Sequence, residues 1–230
     1  IAVTRNDETN MIVCQIASSL FNISKKIARI RSQEFLEGKW SKLYSKSSIP
    51  IDVIISPERE VAKSLYRKLE APGALDNVPF VKDKIKLLEI LIEKKCPIAN
   101  IPLKDLTKKF PEFKTYIFGA ERKESFVFFK KNDKMQPGDK VYLVVSTDQI
   151  NKLLSVFGHN EKVAEKILII GGGNVGLHLA KLLENTDGLR TKIIEKNKAR
   201  AELIAGELSS SIVICGDPLD EKILKEANIE

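Results

Sequence analysis

Gly171, Gly173 and Gly176 stand in the spacing G-x-G-x-x-G, the pattern in this chain that most directly implies chemistry. A pyrophosphate lying against a backbone turn needs that spacing. The first glycine permits a tight turn. The second carries no side chain where phosphate must touch backbone, and the third lets the next helix pack closely on the strand. Gly172, Asn174 and Val175 complete the loop. The helix behind it points free N–H groups and a partial positive charge at the phosphates. Alone the pattern is weak, because glycine-rich strand-to-helix turns also occur where nothing binds. Here a clean apolar strand precedes it and an amphipathic helix follows. Glu195 ends the next strand, where a carboxylate accepts hydrogen bonds from ribose 2′- and 3′-hydroxyls and repels a 2′-phosphate. NAD(H) is therefore expected over NADP(H). Lys196 follows directly and is grouped with the same site. Asp217 leaves the third strand beside the crevice and has two readings, a cap on its own helix and a contact to adenine or ribose.

A second polar constellation lies at the other end of the chain. Thr4-Arg5-Asn6-Asp7-Glu8-Thr9-Asn10 follows an apolar segment and starts a helix, so Thr4, Asn6 and Asp7 are expected at the crevice rim of an open α/β sheet. An ordinary capped strand-to-helix loop would look the same. Arg29 and Arg31 alternate out of one strand face, available for phosphate or for surface ion pairs. No catalytic constellation accompanies these groups. The histidines are His159, in an expected linker, and His178, expected on a helix surface. A dehydrogenase would need an acid/base group beside the nicotinamide, and none stands out. No metal-ligand spacing stands out either. Cys14, Cys96 and Cys215 are far apart and odd in number, which fits a reducing compartment and buried thiols better than disulfides.

The elements that must position these residues fall into three segments. At the C-terminal end, the strand Ile167–Ile170 precedes a helix with Val175, Leu179, Leu182 and Leu183 at helical spacing. A strand over Thr191–Glu195, a helix from Lys198 to Leu208 and a strand over Ile212–Cys215 follow. Asp217 is expected as the cap of a last helix, with Pro218 at its first position and Asp220 at its third. This is half of a doubly wound parallel fold. The N-terminal segment reads as the other half. It has a strand tail at Ile1–Val3, a helix from Glu8 with Val13, Ile16, Ala17 and Leu20 inward, and strands at Lys26–Arg31 and Ile51–Ile55. A helix capped by Ser56, with Pro57 first, then carries Val61, Leu65 and Leu69. Between the halves, residues 81–158 read as a small α+β module. It has a short helix over Leu103–Phe110, strands at Tyr116–Ala120, Phe126–Lys130 and Lys140–Val145, and a turn at Pro137-Gly138-Asp139. Its apolar run from Ile85 to Ile92 is expected to be core or interface. Residues 159–165 read as a linker.

Composition sets the outer limits. The chain has 230 residues, 43% hydrophobic and 30% charged, ordinary for globular protein and enough for more than one core. No apolar run approaches bilayer length and no signal peptide opens it; a first residue other than Met is consistent with a fragment. The net charge of +7 comes from dispersed lysines, so a solvated surface is favoured over a nucleic-acid partner.

Several segments carry a resemblance. Ala2-Val3-Thr4-Arg5-Asn6-Asp7-Glu8-Thr9-Asn10-Met11 resembles the end of the fourth strand and the next helix in the TrkA family, and Ile27-Ala28-Arg29-Ile30-Arg31-Ser32 resembles it as well. Ile51–Glu58 is similar to that family's sixth strand, and Pro72-Gly73-Ala74-Leu75 to its exit. Gly171–Gly176 and Gly216-Asp217-Pro218-Leu219-Asp220 look like the opening of a second nucleotide domain, and the middle segment like the family's C-terminal regulatory domain. The resemblance implies three parts. Residues 1–80 would be the C-terminal half of a first TrkA-N (RCK-N) domain, 81–158 a TrkA-C (RCK-C) domain, and 166–230 the N-terminal half of a second TrkA-N domain. It further implies a cytoplasmic, homo-oligomeric regulatory subunit at the inner face of the plasma membrane, beneath a membrane potassium transporter. Binding of NAD(H), ATP or ADP would gate ion flow, with no nucleic-acid partner. Two other readings are carried beside it, a fragment of an NAD-dependent oxidoreductase and a Rossmann-type DNA-binding sensor. The two half-domains are complementary in strand content. They are expected to pair as one hybrid domain, within a chain or between two, with Ile1–Val3 in the same sheet as Ile167–Ile170.

Overall fold

A computed structural model of the chain describes residues 1–36, 42–45, 48–161 and 164–228; positions 162 and 163 of the expected linker lie outside them. Two compact units result, residues 1–63 with 168–230, and residues 64–167. In the first, α1 (Asp7–Ser19), β1 (Ile27–Arg29), α2 (Gln33–Leu36), β2 (Val53–Ile55) and the start of α3 (Pro57–Glu70) form the N-terminal part. β1 and β2 pair in parallel, and Ala2 adds a single parallel bridge to Ala28. The C-terminal part runs β8 (Lys166–Ile170), α6 (Asn174–Leu183), β9 (Arg190–Glu195), α7 (Lys198–Glu207), β10 (Ile212–Cys215) and α8 (Glu221–Ala227). Its strands make a sheet in the order β10-β9-β8, parallel between β10 and β9. This strand–helix alternation is the Rossmann-like winding read from the sequence.

Several local expectations change. In α1 the buried face carries Asp7, Asn10, Met11 and Cys14, while Val13, Ile16 and Leu20 are exposed. Both stripes have helical spacing, and what packs against the helix chooses between them. The buried point of α3 is likewise Ala62, with Val61 and Leu65 half in solvent. Pro57 does open α3, but the Ser56 hydroxyl is buried without a partner, so the capping bond expected of it is not made. His178 is buried in α6 rather than on its surface.

The expected seam between Ile1–Val3 and Ile167–Ile170 is not formed as a ladder. Ala2 donates to Ile27 O at 2.8 Å and accepts from Arg29 N at 2.9 Å, all on the β1 side. β8 remains an edge, and Ile1, Val3 and Ile170 are exposed. The single Ala2–Ala28 bridge supplies too few backbone bonds to carry a ladder across to β8. The two parts nevertheless belong to one compact unit.

The second unit is built on a five-stranded antiparallel sheet, order β3-β4-β7-β5-β6. The strands are β3 (Asp76–Phe80), β4 (Ile85–Leu91), β5 (Thr115–Arg122), β6 (Ser125–Phe128) and β7 (Lys140–Ser146). Since β3 pairs with β4, residues 76–80 fall in this unit, which begins at Ser64. The apolar run Ile85–Ile92 resolves by strand alternation. Leu88, Ile90 and Ile92 are fully buried with Val141, Leu143 and Val145 of β7, while Ile85, Leu87 and Leu91 turn to the other face. α4 (Leu103–Lys109) and α5 (Ile150–Val156) contribute Leu106, Ile150, Leu153 and Leu154 to that core.

The Pro137-Gly138-Asp139 turn is locked from inside this core. The Asp139 side chain is 2% exposed. It accepts from Arg122 Nε at 2.8 Å, from a second Arg122 nitrogen at 2.7 Å, and from Gln136 N at 2.7 Å. Burial pushes this carboxyl up, but the Arg122 fork and the Gln136 amide overcome that and hold it below its usual value. A depressed folded pKa adds stability that is present above the unfolded value, about 3.9, and is lost as pH falls through the folded value. Asp139→Ala is expected to cost about 2–3 kcal/mol in urea unfolding at pH 7, the range for charge-assisted hydrogen bonds. The variant should also lose part of the acid limb of the stability–pH curve below about pH 4. An unchanged curve would mean that the ion pair is energetically silent.

Candidate functional site

The glycine turn is shaped by contacts that its residue types make unavoidable. Gly171 has φ +104°, a left-handed backbone that side chains disfavour. At Gly176 an added Cβ would lie 2.1 Å from Gly171 O and 3.3 Å from Ile169 Cγ2, so only glycine lets α6 sit this close to β8. Gly173 precedes α6 as its N-cap, and a Cβ built there meets nothing within 4 Å. α6 has no side-chain cap at this end, and the first N–H groups of a helix have no intrahelical acceptor.

Gly172 is the best-held member of the loop. Its N–H donates to Glu195 Oε2 at 2.7 Å, and its carbonyl accepts from Arg200 Nε at 2.7 Å. A Cβ here would meet Ile204 Cδ1 at 2.4 Å. Glu195 Oε1 accepts from Asn197 N at 2.8 Å. The Asn197 amide first, then the Gly172 and Lys196 amides and the Arg200 charge, hold this carboxyl below its ordinary value against partial burial. Glu195 thus works as a clamp on the turn, a role its position alone did not reveal. Each carboxylate oxygen retains acceptor capacity, so ribose contact is compatible with the clamp. Arg200, which also reaches Asn174 Oδ1 at 3.3 Å, was missed in the sequence. Its only signal was an arginine in the first turn of α7, where the helix dipole disfavours a cation.

Lys196 and Asp217 pair across the ends of β9 and β10 at 2.7 Å. Asp217 also accepts from Leu219 N at 3.0 Å. It is not the cap of α8. Asp220 takes that place, accepting from Lys222 N at 2.9 Å, and α8 starts at Glu221. Asp217 forms a local turn around Pro218 instead, because its side chain reaches the amide two residues on before the helix begins.

In the N-terminal part, Asn10 is fully buried and organises the rim. Its Oδ1 accepts from Thr4 N and Thr4 Oγ1, both at 2.8 Å, and its Nδ2 donates to Thr4 O at 3.2 Å and Arg29 O at 2.9 Å. Asn6 caps α1 by accepting from Thr9 N at 2.7 Å. Asp7, 8% exposed, accepts from Arg31 N at 2.8 Å and Ser32 N at 2.7 Å. Its other oxygen is buried without a partner. Arg29 turns back to Thr4 O at 2.5 Å, and Arg31 pairs with Glu58 at 2.9 Å. A cleft of about 430 Å³ lies here, lined by Asn6, Asp7, Arg31 and Ser32 and, from the other part, Asn174. Asn6, Asp7 and Asn174 line one cleft, whereas Thr4 and Arg29 serve the backbone beside it. Among the described residues no group of three metal-ligating side chains is assembled. Asn10→Ala would strip partners from Thr4 and Arg29 backbone groups, and is expected to lower unfolding free energy by about 2–3 kcal/mol. Denaturant melts check this, and a loss below half a kcal/mol would show that water replaces the side chain.

The TrkA-N domain profile matches residues 1–57 and 167–230, and the TrkA-C domain profile residues 87–158. The chain is 42% identical to a Trk system potassium uptake protein TrkA of Azorhizobium caulinodans and 36% identical to one of Vibrio alginolyticus, over all of this chain and 50% of each relative. It thus spans about half the length of the curated relatives it matches. Among solved structures, the GsuK RCK domain superposes with TM-score 0.57 at 18% identity, covering 99% of this chain and 46% of that one. A GsuK channel bound to NAD gives TM-score 0.59 at 17% identity, covering 100% and 38%. At these identities the likeness is one of fold, RCK-like. No helix among the described residues is long and apolar enough to cross a membrane. With the TrkA-N profile matched over more than half its residues and the TrkA-C profile over its middle, the chain belongs to the TrkA family.

Proposed function

We propose that this chain binds NAD(H), or alternatively ATP or ADP, through its phosphates at the Gly171–Gly176 turn, as a nucleotide-responsive regulatory part of a potassium-uptake system. One observation carries the reading: the unobstructed space at Gly173, at the N-terminal end of α6, beside a turn clamped by Glu195 and Arg200. Phosphate would bind the exposed amides, and Glu195 would meet the ribose. Lys196 and Asp217 would border the adenine side, and Asn6 and Asp7 the far rim. The buried orphan oxygen of Asp7 is an acceptor suited to a ligand hydroxyl or amide.

The names of the relatives support the potassium role, and the NAD-bound neighbour supports the ligand class. On this reading the protein is regulatory rather than catalytic. It works as a homo-oligomer in the cytoplasm, at the inner face of the membrane, against a membrane potassium transporter. Ligand binding changes ion flow only if the nucleotide binds two conformations with unequal affinity.

Calorimetric titration of NADH, NAD, ATP and ADP into the purified chain tests the site. Gly173→Val should fill the open space and abolish binding while the fold persists; equal affinity in a folded variant would place the site elsewhere. Glu195→Ala removes both the clamp and the ribose acceptor. It should weaken NADH binding by roughly ten- to a hundredfold, the equivalent of one charge-assisted hydrogen bond, and reduce discrimination against NADPH. Unchanged selectivity would remove Glu195 from ribose recognition.

A further inference from the structure

Lysines that are dispersed along the sequence are gathered by the fold. Residues 64–167 carry 20 of the 38 lysine and arginine residues and 14 of the 31 acids, so six of the seven net positive charges fall on the second unit. Within it, the stretch leading into α4 runs antiparallel to part of the connection between β6 and β7. Asn100 N donates to Met135 O at 2.8 Å, Leu103 N to Asp133 O at 3.0 Å and Lys104 N to Lys131 O at 2.9 Å, with a bridge between Pro102 and Lys134. These bonds set α4 beside the turn at residues 130–133, which Asp133 closes by accepting from Lys130 N at 2.6 Å. Lys104, Lys108 and Lys109 on α4, and Lys130, Lys131 and Lys134 beside it, are all exposed. Asp105 and Asp133 are the acids of these two stretches. Among the described residues none of the six lysines forms an ion pair, whereas Lys63, Lys140, Lys181 and Lys196 each do. Lys109 instead lies over the Phe110 ring, 5.6 Å from its centre.

We propose that this lysine face docks the second unit on an anionic lipid surface. Like charges held together repel one another, and a negative surface relieves that repulsion. Lysine ammonium groups are compact point charges on flexible stems, suited to a diffuse layer of lipid phosphates. Each lysine near an anionic leaflet strengthens attachment about fivefold, and four acting together do so by roughly 600-fold. The backbone bonds between the two stretches hold the lysines side by side before binding, so that little more than side chains must be ordered. A nucleic acid is the poorer occupant. The cluster contains no arginine for bidentate base contacts, and the rings that follow α4, Phe110 and Phe113, pack against the core rather than stand open for stacking. A protein partner calls for an apolar centre inside the charged rim. The other exposed side chains of α4 and residues 130–134 are Thr107 and Asn132, both polar. The same polarity leaves no apolar anchor to insert, so attachment is electrostatic, reversible and salt-sensitive. This extends the membrane-side placement proposed above by giving the chain a contact with lipid itself, which pure vesicles test without a transporter.

The test is co-sedimentation of the 230-residue chain with vesicles of phosphatidylcholine alone and of phosphatidylcholine mixed equally with phosphatidylglycerol. At about 0.1 M salt, where charges act over about 10 Å, the chain should pellet with the anionic vesicles and not with the neutral ones. At about 1 M salt, where they act over about 3 Å, binding should be lost. Lys104→Glu combined with Lys131→Glu should raise the lipid concentration for half-binding about a hundredfold or more. Lys68→Glu combined with Lys222→Glu changes the net charge equally outside the cluster, and should raise it by less than about fivefold. Circular dichroism and the melting temperature should stay close to wild type in both, because all four side chains are exposed and a glutamate suits the first turn of α4. Failure to bind anionic vesicles overturns the proposal, as does equal binding to neutral ones. Equal weakening in the two folded double variants overturns it too, since attraction would then follow net charge rather than this face. A chain that ignores both vesicles but binds duplex DNA through Lys104 and Lys131 assigns the face to nucleic acid and overturns it as well. The nucleotide titration reads the other unit, so the two readings fail separately.

Discussion

The two backbone groups of Gly172 are held by side chains of opposite charge, and the geometry of the glycine turn depends on that grip. Glu195 takes the amide and Arg200 supplies a donor to the carbonyl, each at 2.7 Å. A glycine-rich loop is entropically expensive to order, since glycine loses more conformational freedom than any other residue. Two charge-assisted bonds from β9 and α7 offset that cost and leave Gly173 presented to open space. The clamp consists of one carboxylate and one guanidinium, so its own formal charges cancel. Close packing at Gly176 then sets the angle at which α6 leaves the turn.

The N-terminal part solves a similar problem by other means. Backbone at the carboxyl end of β1 runs into a loop that cannot continue a ladder, and its polar groups must still be satisfied. Asn10 and Asp7, neighbouring turns on the buried face of α1, take over that task. Asn10 serves Thr4 and Arg29, and Asp7 serves Arg31 and Ser32. A helix face that would otherwise be apolar is therefore polar at its first two turns, and the apolar stripe of Val13, Ile16 and Leu20 is left outside. The second unit repeats the device with Asp139, whose buried carboxylate closes a turn while its charge is met by Arg122. In all three places an acid or amide side chain organises loop backbone rather than chemistry, which limits how far such a residue can be read as catalytic.

The chain's own residues determined the local structure. The strand–glycine–helix segment, the Pro57 start of α3 and the turn at Gly138 follow from period, backbone restriction and capping, which act over a few residues. The family resemblance was legible for the same reason, being carried by short contiguous motifs. Tertiary structure decided what depends on partners far along the chain. It chose which stripe of α1 was buried and drew β3 into the second unit's sheet. It also buried His178, moved the cap of α8 from Asp217 to Asp220, and confined Ala2 to the β1 side. Glu195 was identifiable as the residue ending β9, but its engagement with Gly172 needed the strand to be placed against the turn. Arg200 and Asn10 carried almost no sequence signal, because a residue that satisfies distant backbone is recognised only when that backbone arrives beside it.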